Sequence, residues 1–197
     1  MRIRRSHLTA LCVAATVVAA VAGCGRGNND SAQSAAPQDV PSTSATPNPS
    51  PPAQLPTAAT IDVNAQSPTS VMVAACTIVF TRNTQTEQSY SASYARAADL
   101  FTPELRAQLV QPPKSVRPLP KWVDWQRAKA WARGTCVEAS DEHPADTPNT
   151  VSRVLAVTEQ PYGAGGQPMA QTHPAVYASA TRGPAGWRVA QFDVADE

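Results

Sequence analysis

Val151-Ser152-Arg153-Val154-Leu155-Ala156-Val157-Thr158-Glu159-Gln160 is the stretch that decides the fold. Val151, Arg153, Leu155 and Val157 alternate with smaller or polar partners, the period of two that a half-buried antiparallel sheet requires. Three neighbouring stretches read the same way: Trp131 to Ser140, Pro174 to Arg182 and Gly186 to Val194. Gly183-Pro184-Ala185-Gly186 is a tight hairpin connection between the last two. Upstream the period becomes helical. Val71, Ala74, Ala75, Ile78 and Val79 form one apolar stripe ending at Phe80, with Thr69 or Ser70 available as a cap. A second helical stretch runs from about Ser91 to Leu109 on Tyr94, Ala97, Ala98, Phe101, Leu105 and Leu109. Inside it, Thr102-Pro103-Glu104-Leu105 is a fresh helix start, with a capping threonine, a proline at the first position and an acid in the first turn. Pro112, Pro113, Pro118 and Pro120 then forbid regular structure until Lys121. Helices first and meandering strands afterwards predict an α+β domain over residues 68–197, with N-terminal helices packed on an antiparallel sheet of about four strands.

The start of the chain has a different character. Arg2, Arg4 and Arg5 precede an apolar run from Leu8 to Val21, which ends in Val21-Ala22-Gly23-Cys24. This arrangement resembles the lipobox of bacterial lipoproteins, in which lipid is added to the cysteine and a peptidase cuts just before it. The arginines hold the start in the cytosol while the apolar run enters the bilayer. About 14 residues are too few to span ~30 Å of hydrocarbon as a stable helix. The expected signal peptide is therefore residues 1–23, with Cys24 lipidated and the mature chain held by acyl chains on the extracytoplasmic face of the cell membrane. Plain secretion is the alternative, since several alanines would serve a different peptidase. Arg4-Arg5 followed by Ser6-His7-Leu8 is a poor twin-arginine signal, so general secretion is the expected route.

From Gly25 to about Ser67 the composition is Ser, Thr, Ala, Gln, Asn and Pro, densest in Pro47-Asn48-Pro49-Ser50-Pro51-Pro52. Such a stretch buries too little apolar surface to offset its ordering entropy, so residues 24–67 are expected to form a disordered tether. Across all 197 residues the formal charge is +1. Removal of the three signal arginines leaves 13 basic against 15 acidic residues, a formal −2. That balance excludes the basic footprint of a nucleic-acid binder. Arginine far outnumbers lysine, and alanine and proline are abundant, the mark of a GC-rich genome; with the lipobox this suggests an actinobacterium or similar host.

The element order, Thr102-Pro103-Glu104-Leu105 after an aromatic-rich helix, and Gly186-Trp187-Arg188-Val189 opening a long last strand together resemble the nuclear transport factor 2-like superfamily. The resemblance covers about Val71 to Val194 and is topological. It implies a strongly curved sheet folded around helices into a cone with a pocket. Extracytoplasmic members on a membrane anchor include scaffold subunits of conjugative and type IV secretion machines, so the resemblance implies a protein partner in the envelope. It also places Cys76, on the first helix, against Cys136, on the first strand. Outside the cytoplasm such a pair can oxidise, the alternative being two buried free thiols.

Enzymatic members of that superfamily place an Asp or His in the cone as a general base, and Asp99, Tyr94 and Tyr90 are the nearest candidates. Asp99 reads equally as a surface residue or cap. His143 and His173 each precede proline in loops and lack the companions of a nucleophilic site. No CxxC motif or Cys/His cluster is present, so no metal and no cofactor are expected. Gly163-Ala164-Gly165-Gly166 lacks the lysine and helix of a phosphate loop and reads as a hairpin loop. Trp122, Trp125, Arg127 and Trp131, interleaved with Lys121, Lys129 and Arg133, are candidates for a partner surface, because Trp and Arg are favoured at binding hot spots. The competing reading is a core lid ringed by snorkelling cations. The function expected is thus a non-enzymatic envelope binding or scaffold module. The alternatives are a carrier of a small apolar ligand or lipid in the cone, and an isomerase- or dehydratase-like enzyme.

Overall fold

The computed structural model of the protein describes residues 48–110 and 119–195. The expected signal peptide, the lipidation site Cys24, the first part of the tether and Pro112, Pro113 and Pro118 lie outside the described residues.

The first helix, α1, spans Pro68–Phe80. Its cap is Ser67 rather than Thr69 or Ser70: the Ser67 hydroxyl accepts from Ser70 N at 3.2 Å and Pro68 takes the first helical position. Val71, Met72, Ala74, Ala75, Cys76, Ile78, Val79 and Phe80 are all buried, so α1 is apolar over most of its circumference and runs through the middle of the domain. After Thr81 the chain passes straight into a two-residue strand, β1 (Arg82–Asn83), too short to show a period in the sequence. Helix α2 (Ala92–Arg96), a 3-10 turn (Ala98–Leu100) and α3 (Pro103–Leu109) occupy the second helical stretch. Thr102 caps α3 as expected, accepting from Leu105 N at 3.3 Å. Thr102 N also donates to Val189 O at 2.8 Å, which pins the bend to the last strand. A short helix α4 (Pro120–Arg127) precedes β2 (Trp131–Glu138), β3 (Thr150–Tyr162), β4 (Ala175–Gly183) and β5 (Gly186–Ala195).

The architecture is α+β: helices on a curved, half-barrel antiparallel sheet. It has five strands in the order β1-β2-β3-β4-β5, so the expected meander of four gains an edge strand. The register pairs Cys136 with Val157, Leu155 with Val176 and Ala178 with Phe192. These residues share the inner face and pack with α1 in one core. A register shift between Ser179 and Ala180 bends β4 against β5. Helix α1 crosses β2 at Gly134, where any Cβ would stand 2.6 Å from the Phe80 backbone carbon, so only glycine admits the crossing. Cys76 and Cys136 form a disulfide there, with Cα atoms 6.0 Å apart.

Residues 48–67, expected in the disordered tether, pack on the domain instead. Asn48 Nδ2 donates to Gly165 O at 3.0 Å, Ala58 N to Arg96 O at 3.2 Å and Trp187 N to Ala65 O at 3.0 Å. Ala58, Ile61 and Val63 rest on the core. Sparse apolar residues and hydrogen bonds to α2, β5 and the Gly165 loop supply the order that composition conceals, and residues as far as twenty before Pro68 belong to the packed region.

The disulfide closes a separation of 60 residues, which on the chain-entropy model contributes about 4 kcal/mol. A Cys76→Ala, Cys136→Ala variant is expected to unfold at a clearly lower urea concentration with an unaltered native circular-dichroism spectrum. An unchanged midpoint refutes that contribution.

Candidate functional site

Where α1 runs into β1, the chain carries a charged side chain into the interior. Arg82 is 1% exposed because β1 pairs with β2 at the inner end, Arg82 opposite Ala132. Its partner is Glu159 on the inner face of β3, which is fully buried and paired through Oε1 with Arg82 Nη1. The second carboxylate oxygen accepts from Lys121 Nζ at 2.7 Å and from Thr172 Oγ1 at 3.2 Å. Lys121 sits in the first turn of α4, and its Nζ lies 4.9 Å from the Trp125 ring centroid. Tyr90 lies face-on to Arg82, with Cζ 3.6 Å from the ring centroid, and Phe80 is 5.0 Å away on another side. Buried charges require this degree of pairing, because an unpaired one costs several kcal/mol in desolvation.

A second ion pair lies beside the first. Arg96 Nε donates to Glu87 Oε1 at 3.0 Å, and its terminal nitrogens reach the backbone oxygens of Pro56 and Thr81. Glu87 Oε2 accepts from Asn83 N at 3.0 Å. Burial pulls the Arg96 guanidinium below its usual value, with Glu87 opposing. Arg96 therefore ties the packed N-terminal segment to Thr81 and Glu87, while Arg82 ties β1 to β3. Sequence reasoning missed this assembly, because Arg82, Glu87 and Glu159 lie in separate stretches with no shared spacing.

Beside Arg82 and Lys121 is a cavity of about 280 Å³, lined chiefly by Arg82, Tyr90, Tyr94, Leu119, Lys121 and Val194. Burial pushes the Tyr94 phenol above its ordinary 10.0; Arg82 pulls it back, while Tyr90 and Glu159 push it up. The remaining inner face is filled by core side chains.

The sequence candidates are distributed otherwise. Trp122, Trp125 and Trp131 are 2%, 5% and 1% exposed, so the expected partner surface is corrected: these rings are core. Trp122 and Trp125 build a second small core with Ala130 and Ala132, and Trp131 stacks on Tyr162 at 4.5 Å. Only Arg127 of that set faces solvent, bridged to Asp124 at 2.8 Å within the same helix. Asp99 is also outside the core, with its side chain 81% exposed and 3.5 Å from Arg106. Glu159 lies on the inner face, where two cations and a hydroxyl contact its oxygens. His143 and His173 are exposed. Among the described residues there is no cluster of His, Cys, Asp and Glu able to hold a metal ion.

No protein-family model matches the chain, and comparison with curated proteins found no match. Among solved structures, it is similar to CagV, a VirB8 homologue of the type IV secretion system from Helicobacter pylori, at 9% identity and a TM-score of 0.44. The similarity covers 64% of this chain and 98% of that one.

Removing one member of the buried cluster leaves uncompensated charge, so Glu159→Gln is expected to cost about 3–5 kcal/mol in denaturant unfolding. Adding Arg82→Met and Lys121→Met to that variant is expected to recover part of the loss, since apolar replacements restore balance. If Glu159→Gln leaves stability unchanged, the cluster is not held as described. Tyr94 gives a pH test. With its folded value raised, the folded state retains a proton that the unfolded state loses, so this contribution is full below pH 10.0 and fades as pH rises through the folded value. Stability measured from pH 9 to 11 is expected to fall less steeply in Tyr94→Phe than in the parent; equal slopes contradict it.

Proposed function

We propose that this protein is a lipid-anchored, extracytoplasmic binding or scaffold module of the cell envelope, non-enzymatic and accessory to conjugative or secretion machinery. The observation that carries the reading is the occupied interior. Apart from the cavity of about 280 Å³ beside Arg82, the curved sheet closes on α1 and its core side chains, so the domain offers chiefly its outside to partners. On the sheet face opposite the core, the register aligns Val137 with Ala156 and Val154 with Tyr177. Val137 and Tyr177 are more than half exposed.

Anchoring rests on the lipobox ending at Cys24 and on the short apolar run before it. No helix among the described residues is long and apolar enough to cross a membrane. Residues between Gly25 and the packed segment would link the anchor to the domain. Anchoring would raise the domain's effective concentration for neighbours in the same bilayer.

Labelling with palmitate is expected to mark the parent and not Cys24→Ser, and the variant is expected to leave the membrane fraction. A parent that takes up no label removes the anchor from this reading. A photo-crosslinking residue at position 177 is expected to capture an envelope protein in intact cells; captures no different from those at exposed position 182 contradict a scaffold role for that face.

A further inference from the structure

The cavity beside Arg82 combines three features that do not belong to a core defect. Its charge is unbalanced: Arg82 and Lys121 face the single carboxylate of Glu159, leaving one positive charge, while the adjacent Arg96–Glu87 pair is neutral within itself. Its donors are not exhausted, because Arg82 Nε is buried with no hydrogen-bond partner, and Lys121 Nζ is part-exposed at the rim. Its remaining walls are aromatic or aliphatic, from Tyr90, Tyr94, Leu119 and Val194. An excess cation in surroundings of low dielectric attracts an anion more strongly than the same charge in water does.

We propose that this cavity binds a monocarboxylate carried on a small apolar body, its carboxylate at Lys121 and Arg82 and its apolar part against Tyr90, Tyr94, Leu119 and Val194. A single net charge suits one carboxylate; a phosphate dianion would exceed it and lose more hydration on entry. The volume, about 280 Å³, is just under the lower end of drug-sized ligand pockets, which excludes a whole phospholipid and admits one ring or one acidic side chain with its neighbour. Two sources present this chemistry: a free small acid, or a Glu or Asp beside an apolar residue on a partner. The inference stands independently of the membrane anchor proposed above, because it is read in purified protein.

The test is titration of the full-length protein with benzoate, benzamide and inorganic phosphate, and with a capped Phe-Glu-Phe tripeptide and its Gln counterpart, followed by calorimetry and by NMR of the tyrosine rings. Either carboxylate probe is expected to bind at least about tenfold more tightly than its amide, the worth of one charge-assisted contact. Binding is expected to perturb Tyr94. Benzoate binding points to a free acid, and binding of the peptide alone points to a partner side chain. Lys121→Met is expected to weaken binding by about tenfold or more. Val194→Trp fills the rim without touching the ion cluster and is expected to abolish binding while the fold, checked by circular dichroism, persists. Arg182→Met, distant in sequence and exposed, is expected to change nothing. Equal affinity for acid and amide, tighter binding of phosphate, no binding of any probe, or binding undiminished in Val194→Trp overturns the proposal.

Discussion

The crossing of α1 over β2 is the constraint on which the rest of the structure depends. Phe80 and Gly134 bring two backbones within the reach of a missing Cβ, and the Cys76–Cys136 bond closes the same crossing covalently. From that point the helix has nowhere to go but along the sheet edge, so Thr81 and Arg82 enter β1 with no intervening loop. Thr81 Oγ1 accepts from Gly134 N at 3.2 Å, completing the junction. The polar groups released by ending a helix in the interior are thus absorbed by the strand it becomes, as buried backbone requires. The direction of Arg82, and with it the position of the cavity, follows from this junction.

Much of the fold was legible because its elements are long enough to show a period. Strands β2 to β5 match the alternating stretches to within a few residues, and Thr102-Pro103-Glu104 marks the start of α3 by local chemistry alone. What was not legible depends on contacts between distant residues. Two residues of β1 carry no period, and residues 48–67 resemble a linker in composition while making specific hydrogen bonds to Arg96, Gly165 and Trp187. The tryptophan stretch was ambiguous for a different reason. Aromatic and basic residues interleaved on a short helix describe both a binding face and a buried face edged by cations. With Trp122 and Trp125 inside and Lys121 reaching back to Glu159, the second description holds.

The candidate site was the least legible part. Its acid lies within the strand that best announced the fold, where Glu159 occupies an inner position in the same alternation as Leu155 and Val157. A charged residue at a core position is the one sequence signal that pointed inward, since such a residue must find a partner or lose its charge. Its partners come from β1 and α4, on either side of a stretch rich in proline, and no spacing rule connects them. Tyr90 and Tyr94 were named with Asp99 as the nearest candidates for a general base. They flank the cavity, but the charge they face is Arg82 rather than Asp99.

The presence of that cluster calls for a reason other than stability. Ion pairs taken out of water recover their desolvation cost only through close geometry, and apolar side chains of similar volume commonly stabilise a core as well or better. Here the geometry satisfies Glu159 fully but leaves Arg82 Nε without a partner and the group as a whole one charge short of neutral. A purely structural pair of Arg82 and Glu159 would not need Lys121 at the rim, and a purely apolar interior would need none of the three. Of these three, Lys121 alone is in contact with solvent, and the cavity opens beside it. The charge imbalance and the opening therefore coincide in one place, which is the arrangement expected where a fold keeps polar groups buried in order to recognise something that arrives from outside.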